Sequence, residues 1–313
     1  MSKGNLTNES LTAYLILDSI GIGLCAIAIC KTFIFILLIL IRRHIIKSKE
    51  KIVFLLSLNM YTSIFVFALF ILDMFISMMK GHINPDLSQM DQDTQWCRIK
   101  VYLSTIALIS SLYSNTFQAL YRFFRIIYYT RPSFYQNIYF YSLGILILVC
   151  LSALQPLPIL LIGEYQYEDY HCQISLISWR GMTMATFLIW LLPVSLTIVI
   201  YVCTVHYIRH NSLTFTVQQL KRIKRDMTVI RRILWLVIFI VLFGMPAVCT
   251  TIVYYLFGYV GWWANHLTWS TFILSFTGMS VVQTCYSPHL RVLWSKRRQQ
   301  IVPTTAVTLR NLN

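Results

Sequence analysis

Seven long apolar stretches, separated by short polar or charged segments, run through almost the whole chain. They cover about residues 12–41, 53–79, 98–121, 136–162, 181–205, 233–257 and 266–286. A helix needs roughly 20 apolar residues to cross the hydrocarbon core of a bilayer, and inside lipid its backbone groups must all be hydrogen-bonded within the protein. The sequence therefore predicts an all-α membrane protein, a seven-transmembrane helix bundle.

The composition agrees with a single membrane domain. Of the 313 residues, 12% are charged and 57% are hydrophobic, whereas soluble domains carry about 25% charged residues. We expect a short extracellular N-terminus at 1–11, the membrane domain at 12–286 and a cytoplasmic tail at 287–313. The first stretch lacks the small-residue exit of a cleaved signal peptide, so we interpret it as an anchor helix.

The basic residues predict the orientation in the membrane. Of the 26 lysines and arginines, 20 lie after the first, third and fifth stretches and in the tail. Lysine and arginine accumulate on the cytoplasmic side, so the N-terminus is expected outside and the C-terminus inside, as in a multi-pass plasma-membrane protein. The net charge of +15 then indicates a membrane face in contact with lipid, and binding to nucleic acid is not expected.

Two features of the predicted outer side fit this orientation. Asn5 and Asn8 begin the sequons NLT and NES, which are acceptors for glycosylation only if they face the lumen during synthesis. Of the eight cysteines, only Cys97 and Cys172 lie in loops, and both loops are predicted to be extracellular. A disulfide between them is favoured by the oxidising compartment.

The third stretch opens at Cys97, and Arg122 follows 25 residues later. This spacing resembles that of the rhodopsin-like (class A) G-protein-coupled receptors, in which a cysteine opens the third helix and an arginine follows at the same distance. At about 1.5 Å per residue, Arg122 lies roughly 37 Å further along the helix, which is enough to cross a core of about 30 Å. The arginine is therefore expected at the cytoplasmic edge of the membrane, where it can remain solvated or paired.

Further positions resemble this family. Pro193 and Tyr201 match its helix 5 proline and activation tyrosine, Pro246 its helix 6 proline, and Tyr286 the tyrosine of NPxxY. A short amphipathic eighth helix of about 288–299 would follow. The resemblance implies a Cys97–Cys172 disulfide and an outward swing of helix 6 about Pro246.

That swing would expose Arg122, Tyr201 and Tyr286 to a heterotrimeric G protein. Asp226, 20 residues before Pro246, lies where many relatives carry an acid that pairs with the arginine of helix 3. We expect a resting Arg122–Asp226 pair. The alternative is that Asp226 only relieves repulsion among the basic residues beside it.

Several family positions are replaced, which indicates a divergent member of invertebrate type. Tyr121 stands where an acid precedes the arginine, Gly244 replaces a tryptophan, and Val282-Gln283 replaces Asn-Pro. Thr62 is matched to the helix 2 aspartate. Lys31 lies near the middle of the first stretch. Its ammonium either occupies the polar interior where the family has the aspartate, or faces a lateral gap, where threonine or backbone oxygens would accept its hydrogen bonds.

The family's spacing also indicates a ligand pocket. Its expected lining is Ser104, Thr105, Leu108, Ala185, Ile189, Ala247, Val248, Thr251, Phe272 and Phe276. This wall is apolar with a few hydroxyls and suits a neutral small molecule, while Asp73 is expected to be the one buried charge that a ligand cation could meet.

A basic peptide is the alternative ligand. It would bind an acidic outer rim of Asp86, Asp91, Asp93, Glu164, Glu168 and Asp169. The simpler interpretation of the same acids is that they only solvate the exterior.

Other functions are less consistent with the sequence. Residues 266–286 contain no lysine that could hold retinal, and no cofactor or metal motif and no nucleophile–base pair indicates an enzyme. The remaining alternative is a seven-helix transporter or channel, with Lys31 and Asp73 along its path. Transporters, however, usually show internal repeats, and this chain has none.

Overall fold

The structure is a computed structural model, and it describes residues 8–42, 51–84, 95–128, 137–168, 170–175, 178–210, 238, 241–242, 244–259, 261 and 263–286. The helices are α1 Asn8–Arg42, α2 Lys51–Ile83, α3 Gln95–Ile127, α4 Ile138–Ile162, α5 Trp179–His210, α6 Gly244–Phe257 and α7 Ala264–Tyr286. The strands β1 Tyr165–Glu168 and β2 His171–Ile174 form an antiparallel hairpin between α4 and α5.

The described helices overlap the predicted apolar stretches, with α6 described over residues 244–257 of the sixth stretch, and the prediction of a helical membrane protein is confirmed. Four of them, α1, α2, α4 and α5, are long and apolar enough to cross a membrane. The hairpin was not predicted by the all-α interpretation. The predicted eighth helix at about 288–299 lies outside the described residues.

Helix α3 is the centre of the bundle and packs against α2, α4, α5 and both strands. It carries a run of polar side chains, Ser110, Ser111, Ser114 and Asn115, and all four are buried. Buried polar groups need partners, and the neighbouring helices provide several of them: Ser63 Oγ lies 3.0 Å from Ser110 Oγ. This accounts for the lower apolar content of α3, which faces other helices on most sides.

Helix α4, in contrast to the buried polar run of α3, has large apolar side chains on its surface. Leu143, Leu146 and Ile147 are each more than half exposed, and the exposed apolar surface continues along the helix to Leu154. An apolar surface of this extent is typical of contact with another apolar phase. We assign this face of α4 to the lipid.

The ends of α4 and α5 follow ordinary capping chemistry. The Asn137 side chain accepts hydrogen bonds from the first-turn amides, at 3.0 Å from Tyr139 N. Gly163 ends α4 with φ +80°, a left-handed conformation that glycine adopts without steric cost. Ser178 caps the start of α5 by accepting from Gly181 N at 3.3 Å, and such a cap stabilises a helix by about 1 kcal/mol.

Helix α5 contains a π-helical segment, Ala185–Leu191, just before Pro193. Leu192 N donates to Phe187 O, five residues back, and Pro193 has no amide hydrogen. The carbonyl of Leu188 is therefore left without a donor from its own helix. Gln155 of α4 replaces that donor, with its Nε2 at 2.5 Å from Leu188 O.

The hairpin is held above the bundle by a disulfide between Cys97 at the start of α3 and Cys172 in β2, as predicted. At its turn, Tyr170 has φ +65°, which is unfavourable for a side chain with a Cβ. Its ring packs against His82, with centroids 5.2 Å apart, and lies directly over Gly81, where a Cβ would collide with it. Packing on α2 thus offsets the backbone strain.

Candidate ligand-binding site

An inner cavity of about 170 Å³ lies between α3, α5, α6 and α7, beneath the hairpin. Nine of the residues expected to line a ligand pocket lie on its wall: Ser104, Thr105, Leu108, Ala185, Ile189, Ala247, Val248, Thr251 and Phe272. On α6 the lining positions 244, 247, 248 and 251 recur at i, i+3, i+4 and i+7, which is one face of a helix. These nine side chains therefore share the wall of one cavity.

Two of the expected pocket residues lie elsewhere. Phe276 is buried in the core and packs against Phe67, with ring centroids 5.0 Å apart; Phe67 lines the cavity and Phe276 does not. Asp73 was expected to be buried, and this is wrong, because its side chain is 52% exposed and pairs with Lys100 Nζ at 2.8 Å. Asp73 is already neutralised by a lysine of the same protein.

Asp73 and Lys100 line a second, outer cavity of about 610 Å³. Its wall includes Lys80 of α2, Trp96 of α3 and Tyr170 of the hairpin turn. The two cavities share three wall residues, Val101, Ser104 and Trp269. A ligand that enters past the hairpin would thus meet a polar vestibule before an apolar chamber.

The two glutamates of the expected acidic rim are engaged locally. Glu164 is buried and accepts a hydrogen bond from Ser178 Oγ. Glu168 accepts from Ser175 Oγ at 2.7 Å and from Gln173 Nε2 at 3.2 Å. The Glu164 bond joins the hairpin to the start of α5, and the Glu168 bonds lie within the hairpin and the residue after it, so both carboxylates already have partners.

The other four acids of that rim, Asp86, Asp91, Asp93 and Asp169, lie outside the described residues. The same hairpin carries Tyr165, whose side chain is buried against the bundle. Burial raises the pKa of the Tyr165 phenol to about 12, so it stays neutral at physiological pH. Tyr165 lines neither cavity, so it adds no charge to either of them.

Sequence reasoning missed one polar cluster, at the outer ends of α1, α2 and α7. Asp18 is fully buried, with Oδ2 at 2.9 Å from His82 Nδ1 and Oδ1 at 3.1 Å from His266 Nδ1. Tyr14 stacks on His82 with centroids 4.5 Å apart. The sequence did carry one sign of this cluster. All three polar residues lie near the predicted outer ends of their stretches, and therefore at a similar predicted depth in the membrane.

This cluster ties three helices together at one end of the bundle. Among the described residues, no group of three or more His, Cys, Asp or Glu side chains is arranged to hold a metal ion. We therefore treat Asp18, His82 and His266 as a buried cluster of one carboxylate and two imidazoles.

Lys31 also contacts α7, deeper in the bundle. Its Nζ donates to Ser280 Oγ at 2.9 Å, so the ammonium points toward α7. The sequence had suggested threonine or backbone oxygens as acceptors, whereas this acceptor is a serine hydroxyl. Tyr61 Oη lies 2.8 Å from Thr284 Oγ1, one turn further along α7. Thr62, matched in sequence to an interior aspartate, is exposed, and the match is wrong, because its neighbour Ser63 faces α3 instead.

A polar layer joins α7 to α2 and α3 nearer the other end of the bundle. Gln283 Nε2 donates to Ser57 Oγ at 3.0 Å and to Gln118 Oε1 at 3.3 Å. Gln283 stands where the resembled family has a proline, and the amide provides hydrogen bonds that proline lacks.

The residues expected at the cytoplasmic end are described in part. Arg122 and Tyr201 are partly buried, and Pro246 lies within α6. Tyr121, in place of an acid, is buried and packs edge-on against Tyr141 with centroids 5.2 Å apart. Asp226 lies outside the described residues, as do the side chain of Tyr286, Asn5 and the side chain of Asn8.

Comparison with known proteins identifies the fold. No protein-family model matches the chain, and no curated protein matches it. The crystal structure of squid rhodopsin is similar, with a TM-score of 0.69 and 15% sequence identity over 93% of this chain and 87% of that chain. The chain therefore has a rhodopsin-like fold, which is the fold expected from the sequence.

Proposed function

We propose that this chain, on the premise of its rhodopsin-like fold, is a plasma-membrane receptor that transmits the binding of an extracellular ligand to a heterotrimeric G protein. In this proposal seven helices cross the membrane, and an amphipathic eighth helix lies along its cytoplasmic surface. The observation that carries the proposal is the inner cavity, an apolar chamber of about 170 Å³ beneath a disulfide-held hairpin. Concave apolar chambers of this kind are typical of small-molecule sites.

The proposed orientation follows the distribution of positive charge. The N-terminus would be extracellular, where Asn5 and Asn8 would be glycosylated, and the basic segments and tail would face the cytoplasm. The hairpin and the outer cavity then lie on the ligand side.

The proposed ligand is a neutral small molecule. No charged side chain lines the inner cavity within the described part of the chain, and a buried ligand charge without a counter-ion would be strongly unfavourable. A basic peptide is less consistent with the site, because Glu164 and Glu168 are already hydrogen-bonded within the hairpin region.

The proposed coupling machinery is Arg122, Tyr201, Pro246 and Tyr286. Outward movement of the cytoplasmic end of helix 6 about Pro246 would expose the arginine and the two tyrosines, and a resting Arg122–Asp226 pair would oppose that movement. An inter-helical pair of this kind can bias a two-state equilibrium by roughly 1–3 kcal/mol.

A transporter is not favoured by any described contact. The two charges considered for a path, Lys31 and Asp73, are bonded to Ser280 and Lys100 respectively. Lys31 lines neither the inner nor the outer cavity. We therefore propose that the chain acts by binding and conformational change.

The proposal is tested by expressing the full chain in cells with sensors for each class of Gα subunit and screening uncharged small molecules. At least one compound should dissociate a heterotrimer in a concentration-dependent manner. Arg122→Ala should abolish this response at equal surface expression, and Asp226→Asn should raise signalling without ligand. A response that survives Arg122→Ala would contradict the proposed coupling role, and unchanged basal signalling in Asp226→Asn would contradict the lock.

A further inference from the structure

The Asp18 cluster, formed by Asp18, His82 and His266, is hydrogen-bonded on one side only. His82 Nδ1 lies 2.9 Å from Asp18 Oδ2 and is hydrogen-bonded to it. His266 Nδ1 lies 3.1 Å from Asp18 Oδ1, but the two atoms are not aligned as a hydrogen bond, and neither has a hydrogen-bond partner among the described residues. A buried polar atom without a partner is unfavourable, and native proteins seldom retain one without a reason.

The net charge of the cluster depends on how many protons the two imidazoles carry. With both imidazoles neutral, the carboxylate leaves the cluster negative, and with both protonated the cluster is positive. The side chains of His82, His266 and Asp18 are only 6%, 2% and 0% exposed, and a net charge in such surroundings is strongly unfavourable. Burial therefore favours the state in which one of the two imidazoles is protonated.

The contacts indicate that His266 carries this proton. Neutral His82 can already donate its Nδ1 proton to Asp18 in the observed geometry. Neutral His266 with its proton on Nε2 would turn the lone pair of Nδ1 toward Asp18 Oδ1, and the two atoms would repel each other. Protonation puts a hydrogen on both ring nitrogens and adds an attraction to the carboxylate that does not require a straight hydrogen bond.

The other groups around the cluster do not supply a positive charge. Tyr14 of α1 stacks on His82 and lies edge-on to His266, with ring centroids 4.5 and 5.5 Å apart. Tyr170 of the hairpin turn lies edge-on to His82 at 5.2 Å. Phenols are ordinarily neutral near pH 7, and Lys80, the described lysine at this end of α2, lines the outer cavity instead.

We infer that the Asp18 cluster is a proton-binding site at the hairpin end of the bundle, and that His266 gains the proton as the pH falls through the range in which histidine changes charge. The bound proton replaces an unsatisfied contact between α1 and α7 with a charged one. Asn265 and Trp269, close to His266 along α7, line the inner cavity, so this contact lies beside the proposed ligand site. The proton site goes beyond the receptor function, and it does not depend on it, because it concerns the stability of the fold.

The direction of the pH effect follows from linkage. The folded cluster holds a carboxylate beside the imidazole and the unfolded chain does not, so the folded chain binds the proton more tightly. Folding should therefore gain stability at acidic pH and lose it as the pH rises. The test is thermal unfolding of the full chain in lipid nanodiscs at about pH 6 and about pH 8, with a chelator present to remove metal ions. The midpoint should fall between these pH values by about 2 °C more in the natural chain than in Asp18→Asn.

Asp73→Asn is the matched control, because it makes the same chemical change at a half-exposed carboxylate that pairs with a lysine. It should leave the pH response as it is in the natural chain. His266→Gln should lose the response as Asp18→Asn does, whereas His82→Gln should keep part of it. The inference is overturned if Asp18→Asn and Asp73→Asn have the same pH response.

A direct measurement uses 15N-labelled histidine, because the imidazole 15N shifts separate the neutral from the charged ring. Among the seven histidines, the His266 signals are those lost in His266→Gln. If that variant does not fold, they are the signals that Asp18→Asn displaces and that remain in His82→Gln. His266 should change from neutral to charged between about pH 8 and about pH 6, and at lower pH in Asp18→Asn. A His266 ring that keeps one form throughout this range would overturn the inference, and a G-protein response in the cellular assay would still stand.

Discussion

Asp18 and Asp73 are carboxylates on the hairpin-side halves of neighbouring helices, but their surroundings differ. Asp18 is 0% exposed and lies between His82 and His266, while Asp73 is half exposed and pairs with Lys100 near the outer cavity. Removing one partner of a buried pair costs about 3–5 kcal/mol, whereas an exposed pair contributes about 0–1 kcal/mol. Substituting each of the two residues therefore compares how much a buried and an exposed carboxylate contribute to stability.

We predict that Asp18→Ala destabilises the protein by about 3 kcal/mol or more, because two buried histidines lose their shared carboxylate. Thermal unfolding of the purified chain in nanodiscs should show a midpoint lower by about 5 °C or more. Asp73→Ala is the control and should shift the midpoint little. Equal shifts for the two variants would contradict the assignment of Asp18 as the centre of a buried polar cluster that holds three helices together.

Single residues also show where sequence reasoning succeeds and fails. The Cys97–Cys172 pair was predictable because loop position and compartment leave few alternatives. The exposure of Asp73 was not, because a hydropathy pattern gives the depth of a residue but not the direction of its side chain. The contact of Trp190 with Gly244, where a Cβ would collide with the indole, joins two helices far apart in sequence, and only the missing tryptophan at 244 hinted at it.

At the scale of elements, the π segment of α5 is produced by two helices together. Pro193 removes the amide that could have bonded within α5, and Gln155 of α4 donates to the Leu188 carbonyl instead. The proline was visible in the sequence, but its compensation by a glutamine of another helix was not. The helices themselves were predictable from the apolar stretches, because the ability to cross a bilayer as a helix is a property of one local stretch of sequence.

We predict that Gln155→Leu destabilises the protein by about 1–3 kcal/mol, because a buried carbonyl loses its donor. In a Pro193→Ala background the same change should cost less, since the restored backbone amide lets α5 return to regular bonding. A double-mutant cycle measured by unfolding in nanodiscs gives the coupling. Additive effects would show that Gln155 and Pro193 act independently, against this explanation.

At the scale of the whole molecule, the hairpin end of the bundle holds a polar vestibule, an apolar chamber and the buried Asp18 cluster. Nearer the other end, α7 is hydrogen-bonded to α1 through Lys31 and to α2 and α3 through Gln283. These contacts place hydrogen-bonded helices between the chamber and the predicted coupling surface. In the proposed receptor, a ligand that moves α3 or α7 at the chamber would act on the far end through these hydrogen-bonded helices.

The membrane orientation is a property of the whole chain, and it can be measured directly. We predict that an epitope tag placed before Met1 is stained on intact cells, because most basic residues belong to the segments assigned to the cytoplasm. A tag placed after Asn313 should be stained only after permeabilisation. The reverse pattern would place the vestibule inside the cell and contradict the proposed ligand side.

The most direct test of the central claim is nucleotide exchange on purified G proteins. The full chain in nanodiscs, with a compound selected in the cellular screen, should accelerate release of GDP from at least one heterotrimer. Arg122→Ala, folded and binding the same compound, should leave release at the spontaneous rate. The account is contradicted if the chain leaves every heterotrimer at its spontaneous rate while sealed proteoliposomes containing it take up the compound, because the molecule would then be a transporter with a receptor-like fold.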